Sequence, residues 1–142
     1  MKYPVNSNEY FMDIAIKEAI KAYKKDEVPV GCCIVYKNKV LSVGHNIRQG
    51  KYDIMGHAEI VAIKKAAKRI KSWNLSGCTM YVTLSPCDLC FLAIKNSRIA
   101  KIYISCEKIY KNDTIVIESI FGIMKDTSTQ LLKNFFINKR NK

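Results

Sequence analysis

One α/β domain, with helices on both faces of a five-stranded mixed sheet, is the fold class this sequence predicts. Three observations lead there. The chain has 142 residues, the size of one domain with its own core. Its 49% hydrophobic and 25% charged residues suit a globular protein that needs no disulfides to hold that core. Its hydrophobic pattern alternates between helical and strand periods in the order α-β-β-α-β-α-β-β-α, the pattern of a three-layer α/β/α domain.

Each element has its own signal. Asn6 with Glu9 three residues later makes a capping box for a first helix. Its buried stripe is Tyr10, Phe11, Ile14, Ala15 and Ala22, up to about Lys25. "VPVGCCIVYKNKVLSVGHN" reads as two strands, 30–36 and 40–45, joined by the polar "KNK" hairpin. Residues 46–56 read as loop, broken by Gly50 and Gly56. A second helix follows from His57 to Lys71, with Ile60, Ile63, Ala67 and Ile70 facing inward. "CTMYVTL" is a third strand, and Pro86 begins a third helix reaching Asn96. "KIYIS" (101–105) is a fourth strand and "TIVIESI" (114–120) a fifth, and Asp126 or Thr127 starts a last helix through Lys139.

No apolar run approaches the ~20 residues of a membrane span. The N-terminal stretch carries acids inside its apolar pattern, unlike a signal peptide. The expectation is a cytoplasmic protein without a membrane partner, its six cysteines reduced and serving as ligands, reactive groups or small core residues. The formal charge of +12 favours a polyanionic partner, chiefly nucleic acid. The competing explanation is compositional, since lysine supplies twenty of the 24 basic residues.

The chemistry concentrates in two strand-to-helix turns, "GHAEIVAIKK" (56–65) and "TLSPCDLCFLAI" (83–94). Cys87 and Cys90 have a preferred zinc-ligand spacing, and i and i+3 on a first helical turn share a face. The partial positive charge of a helix N-terminus favours thiolate. His57 heads the other helix and offers a third ligand. Three protein ligands leave one tetrahedral position for a water of lowered pKa. Glu59 is then placed to move protons between such a water and a substrate nitrogen. Two plainer arrangements use the same residues. One is a structural zinc site closed by His45, Cys32, Cys33 or Cys78. The other is a thiol redox pair, which leaves His57 and Glu59 without a role.

"HAE" at 57–59 followed by "PCDLC" at 86–90 resembles the zinc nucleobase deaminases, whose signature is H-x-E…P-C-x-x-C. Within that group the chain is most similar to the bacterial tRNA adenosine deaminases. "EVPVGCCIV" (27–35), "GHN" (44–46), "MYVTLSPCDLC" (80–90), "SRIAKIYIS" (97–105) and "LLKNFFINKR" (131–140) carry the likeness, from about residue 8 to residue 140. The resemblance implies a three-layer cytidine-deaminase-like fold, with zinc on His57, Cys87 and Cys90 and Glu59 as proton shuttle. It implies that Asn46 hydrogen-bonds the base, and that Val28, Pro29 and the peptide groups around Ala58 and Ser85 lie against the base or leaving amine. It places Phe135, Phe136, Lys139 and Arg140 near the tRNA. It also implies a homodimer whose active site borrows residues from the neighbouring subunit.

The chain departs from that pattern at three places. Ser85 stands where an acidic residue usually precedes the Pro-Cys pair, "DIMG" (53–56) precedes the histidine, and "SCEKIYKND" (105–113) is about ten residues short. A parallel crossover usually needs a dozen or more connecting residues, so the fifth strand is expected either parallel to the fourth or paired with it as an antiparallel hairpin. The activity implied is hydrolytic deamination of adenosine to inosine in the tRNA anticodon loop, at the wobble position. Deamination of a free base or nucleoside (cytosine, cytidine or guanine) is the alternative within enzymes, and a non-catalytic zinc-stabilised RNA-binding module the alternative outside them.

Overall fold

The computed structural model describes residues 2–107 and 117–140. In chain order the elements are α1 (Asn8–Lys24), β1 (Gly31–Tyr36), β2 (Lys39–His45), α2 (Arg48–Lys51), α3 (Ala58–Ile70), β3 (Cys78–Leu84), α4 (Asp88–Asn96), β4 (Lys101–Cys106), β5 (Glu118–Phe121) and α5 (Lys125–Arg140). The five strands form one sheet in the order β2-β1-β3-β4-β5. β1 runs antiparallel to β2 and to β3, whereas β3, β4 and β5 run parallel.

Strand alternation sends side chains to two separate cores. Cys32, Ile34, Met80, Val82, Ile102 and Ile104 meet Ala58, Ala62 and Ala66 of α3 and Ile94 of α4 on one face. Cys33, Val35, Tyr81 and Tyr103 meet Phe11, Met12, Ala15 and Ile16 of α1 on the other. Tyr81 and Tyr103 stack there with centroids 4.7 Å apart, and the Ser105 hydroxyl donates to Ser128 of α5 on the same side. The expected three-layer arrangement is therefore present.

Two helices approach the sheet closely because glycines receive them. A Cβ on Gly44 of β2 would lie 2.5 Å from the Ala58 carbonyl oxygen and 2.8 Å from the Ala62 nitrogen of α3. A Cβ on Gly31 of β1 would collide with the Ala15 carbonyl of α1. The helices answer with alanines. Ala58, Ala62 and Ala66, four apart, turn to the sheet, fully buried. This rotates α3 relative to the expected stripe: Ile60 is buried and Ile63 and Ala67 half-buried, but Ile70 is 40% exposed. Small residues, not the large apolar ones, set the facing side.

Other local expectations are corrected. Ser7, not Asn6, caps α1: its hydroxyl accepts the Tyr10 N–H at 3.1 Å, while Asn6 takes a left-handed φ of 68°. Residues 46–56 are not all loop, since Arg48–Lys51 form the short α2. His57 and Cys87 cap α3 and α4 rather than lying inside them. The orientation left open for the fifth strand is parallel. The strand begins at Glu118 rather than at 114, so the stretch 107–117 connects it to β4, close to the length a crossover needs. Thr114, Ile115 and Val116 of the expected strand lie outside the described residues.

Burial pushes the Cys33 thiol up to about 12, helped by the nearby Glu18 carboxylate. A thiol in the unfolded chain ionises near 9.0, so this contribution to stability is full below that pH and is lost as the pH climbs toward 12. Urea unfolding at stepped pH should show stability falling over this interval. Cys33→Val should flatten the fall only in part, because Cys32 and Tyr81 are raised in the same direction. Gly44→Ala should destabilise by about 1–3 kcal/mol in the same assay, as overpacking against a helix backbone does.

Candidate active site

The site lies at one end of the sheet because of its mixed topology. β2 and β3 both run toward that end, so Asn46 after β2 and Ser85 after β3 emerge there. β1 runs the other way, so Val28 and Val30, which precede it, arrive at the same end. α3 and α4 begin there too, their N-termini bringing two positive dipole ends together.

At this point the donor atoms of His57, Cys87 and Cys90 all lie within 4.8 Å of one another. Tetrahedral zinc, with bonds of ~2.0–2.3 Å to nitrogen and sulfur, sets its donor atoms roughly 3.5–4 Å apart, so this set fits zinc. Cys90 is buried and His57 and Cys87 half-buried. Burial first, and then the Glu59 carboxylate and Cys87, push the Cys90 thiol far above its ordinary value. A bound cation would offset this local negative charge and favour the thiolate. Neither His45 nor Cys32, Cys33 or Cys78, the fourth ligands of the alternative structural site, joins the group among the described residues. His45 is engaged elsewhere, with Nδ1 3.0 Å from Glu18 and Nε2 3.4 Å from the Lys25 ammonium. Burial opposes ionisation of Glu18, but Lys21 and His45 outweigh it and hold that carboxyl below its usual pKa. All six cysteines are free thiols, and the two-cysteine spacing serves the same point as His57.

Glu59 is 4% exposed and borders a cavity of about 210 Å³ with Val28, Val30, Asn46, Arg48, His57, Leu84, Ser85 and Cys87. The Asn46 Oδ1 accepts the Ala58 N–H at 2.9 Å. This fixes the amide orientation and fastens the α3 N-terminus to the end of β2. The Ser85 N–H donates to the Cys106 carbonyl at 3.0 Å, fastening the second turn to β4. Pro29 is fully buried beside the site without bordering the cavity. Val28, Asn46 and Arg48 also border a larger groove of about 760 Å³ that includes Phe135 and Lys139. Phe135 is 6% exposed and packs edge-on against Tyr23, so it serves as packing at the groove's floor. Phe136 and Arg140 border a different groove with Cys106 and Leu132. The four C-terminal residues thus divide between two faces.

The cytidine and deoxycytidylate deaminase zinc-binding region matches residues 5–106. The chain belongs to that deaminase family. A tRNA-specific adenosine deaminase of Aquifex aeolicus (strain VF5) is 37% identical over 94% of this chain and 96% of its own. One from Buchnera aphidicola subsp. Schizaphis graminum is 36% identical over 95% and 97%. A solved structure from a study of A-to-I editing by tRNA:A34 deaminases at the wobble position superposes with a TM-score of 0.82 at 29% identity, over 87% of this chain and 99% of that one. A guanine deaminase from Nitrosomonas europaea shares the fold, with a TM-score of 0.82 at 16% identity over 91% and 84%.

Sequence reasoning missed Val30, Leu84, Arg48 and Glu27. The first two are apolar cavity walls indistinguishable from core by pattern. Glu27, 3% exposed, accepts from the Gln49 N–H at 3.0 Å and the Gly50 N–H at 2.7 Å. Its position in "EVPVG" was visible, but its partner loop was not.

Cys90→Ser should cut bound zinc, measured by elemental mass spectrometry, to under about a tenth of the wild-type content, because a hydroxyl is a poor zinc ligand. Cys78→Ser, outside the three-residue group, should retain the full metal.

Proposed function

We propose that this protein is a zinc-dependent hydrolytic deaminase that converts adenosine to inosine at the wobble position of a tRNA anticodon. The observation that carries it is a buried Glu59 on the wall of a base-sized cavity that His57 and Cys87 also border, the two residues that group with Cys90 as zinc donors. The full-length similarity to tRNA-specific adenosine deaminases supports tRNA over a free base. So does the charge of +12.

The cavity is smaller than the ~300–1,000 Å³ of a typical small-molecule pocket. It suits one base, with the sugar and phosphates remaining outside. An anticodon-loop adenine is already unpaired, so extruding it costs less than flipping a base from a duplex. His57, Cys87 and Cys90 would hold zinc, which when bound supplies a water acidified toward neutral pH. Glu59 would take one proton from the attacking water and give it to adenine N1 as oxygen bonds to C6. It would then take the second from the new C6 hydroxyl and give it to the amine, whose bond to C6 breaks to release ammonia and leave a carbonyl. Asn46, its Oδ1 already taken by Ala58, presents N–H donors to a ring acceptor of the base. Val28 and Leu84 provide the apolar walls that exclude bulk water.

A homodimer is part of the proposal. Leu89 and Leu92 of α4 remain 39% and 50% exposed, and Ile54 77%, apolar surface near the site that a second copy would cover. A cytoplasmic location is also part of the proposal, since the proposed substrate is tRNA. Among the described residues no helix is long and apolar enough to cross a membrane.

Mass spectrometry of tRNA incubated with zinc-loaded protein should find inosine at the wobble position. Glu59→Gln should lower the rate by about 10²–10⁴-fold with zinc retained. Turnover of free cytidine with unmodified tRNA left intact would overturn the assignment to tRNA.

A further inference from the structure

The catalytic cavity opens sideways. Val28, Asn46 and Arg48 border both it and the 760 Å³ groove, which continues past Lys25, Tyr52 and Lys139. If the cavity takes one base, the attached sugar and phosphates must cross the junction where Arg48 stands.

Among the described residues three cations border this groove, and two are already engaged. Lys139 Nζ lies 2.6 Å from an Asp26 oxygen, and Lys25 Nζ lies 3.4 Å from His45 Nε2. The Arg48 guanidinium has no hydrogen bond or ion pair with any of the described residues. The acids around it are occupied. Both Glu27 oxygens accept backbone N–H groups, and Asp53 Oδ1 accepts the Met55 N–H at 2.9 Å.

The backbone beneath Arg48 is held from both sides. The Glu27 carboxylate fixes Gln49 and Gly50, the Asp53 N–H donates to the Arg48 carbonyl at 3.0 Å, and the Ile47 N–H donates to the Gly56 carbonyl at 2.9 Å. A fixed base carrying an uncommitted, planar, five-donor cation is suited to bidentate recognition of a phosphate.

From this arrangement we infer that Arg48 grips the backbone phosphate next to the target nucleotide and so favours RNA over a free nucleoside, with Glu27 as the positioning residue that holds its loop. The inference deepens the tRNA-deaminase reading and rests on it. Its test uses the zinc-loaded full chain, with a synthetic tRNA anticodon stem-loop as substrate and free adenosine and cytidine as comparisons.

Arg48→Ala should raise KM for the stem-loop about tenfold while kcat changes less than about threefold, as loss of one charge-assisted bidentate contact made equally before and during reaction would. The slope of log(kcat/KM) against log salt should become shallower by about 0.7, the value for one phosphate on a single strand. Arg48→Lys should restore the slope but only part of the KM, because a point charge lacks the fork. Glu27→Gln, with folding checked by circular dichroism, should raise KM in the same direction.

Unchanged KM and salt slope in Arg48→Ala, with the wild type editing the stem-loop, would overturn this inference alone. So would a loss confined to kcat together with altered sedimentation, which would place the guanidinium against a second copy of the chain. A wild type that turns over free nucleosides and leaves the stem-loop untouched would overturn the parent reading and this one with it.

Discussion

The close seat of α3 on β2 is the constraint from which the rest of this site follows. Gly44 leaves no side chain between strand and helix, and Ala58 and Ala62 come down onto the bare backbone. That contact sets the height and angle at which α3 begins, and hence where His57 and Glu59 stand relative to Cys87 and Cys90. A zinc site tolerates only tenths of an ångström in ligand position, so a helix displaced by one methyl group would carry two functional residues out of register. Asn46 reinforces the arrangement from the strand side, since its side chain receives the first N–H of the helix.

The same logic recurs around the cavity. Each wall is the end of a sheet element or the start of a helix, and each is tied by a backbone hydrogen bond to its neighbour: Asn46 to Val30, Ile47 to Gly56, Ser85 to Cys106. Functional groups on rigid termini are more exactly placed than groups on free loops. The stretch 47–56 would be an ordinary surface loop except for Glu27, whose buried carboxylate draws it against the body of the domain.

Much of this was legible in the sequence, for physical reasons that differ by residue. Cys87 and Cys90 could be read because ligand spacing on a helical turn is local. His57 and Glu59 could be read because they stand two positions apart at a helix start, in the H-x-E pattern that accompanies P-C-x-x-C in the zinc deaminases. Ile70 could not be placed correctly, because an apolar residue says where a helix prefers to be buried but not where its partner surface is smallest. That surface was set by Gly44, far away in the chain. Ser7 outranked Asn6 as a cap because the backbone turn, not the residue type alone, decides which side chain can reach Tyr10. The fifth strand's direction depended on where it starts, and one apolar run cannot reveal which part of itself is paired. Phe135 and Phe136 looked alike in sequence, yet adjacent helical positions point about 100° apart, which sends one inward and the other out.

Asn46 carries a consequence for turnover. In the proposed pose its carbonyl oxygen stays on the helix and its N–H groups turn to the nucleobase. Purine N3 and N7 are acceptors in adenine and in hypoxanthine alike, and such a contact holds reactant and product with equal strength. What distinguishes the two bases is the six-membered ring edge, where N1 changes from acceptor to N–H and an exocyclic amine becomes a carbonyl. In the proposed pose that edge turns to the side of the cavity bordered by Glu59, so telling the edited nucleotide from the unedited one falls to that side and not to the amide of Asn46.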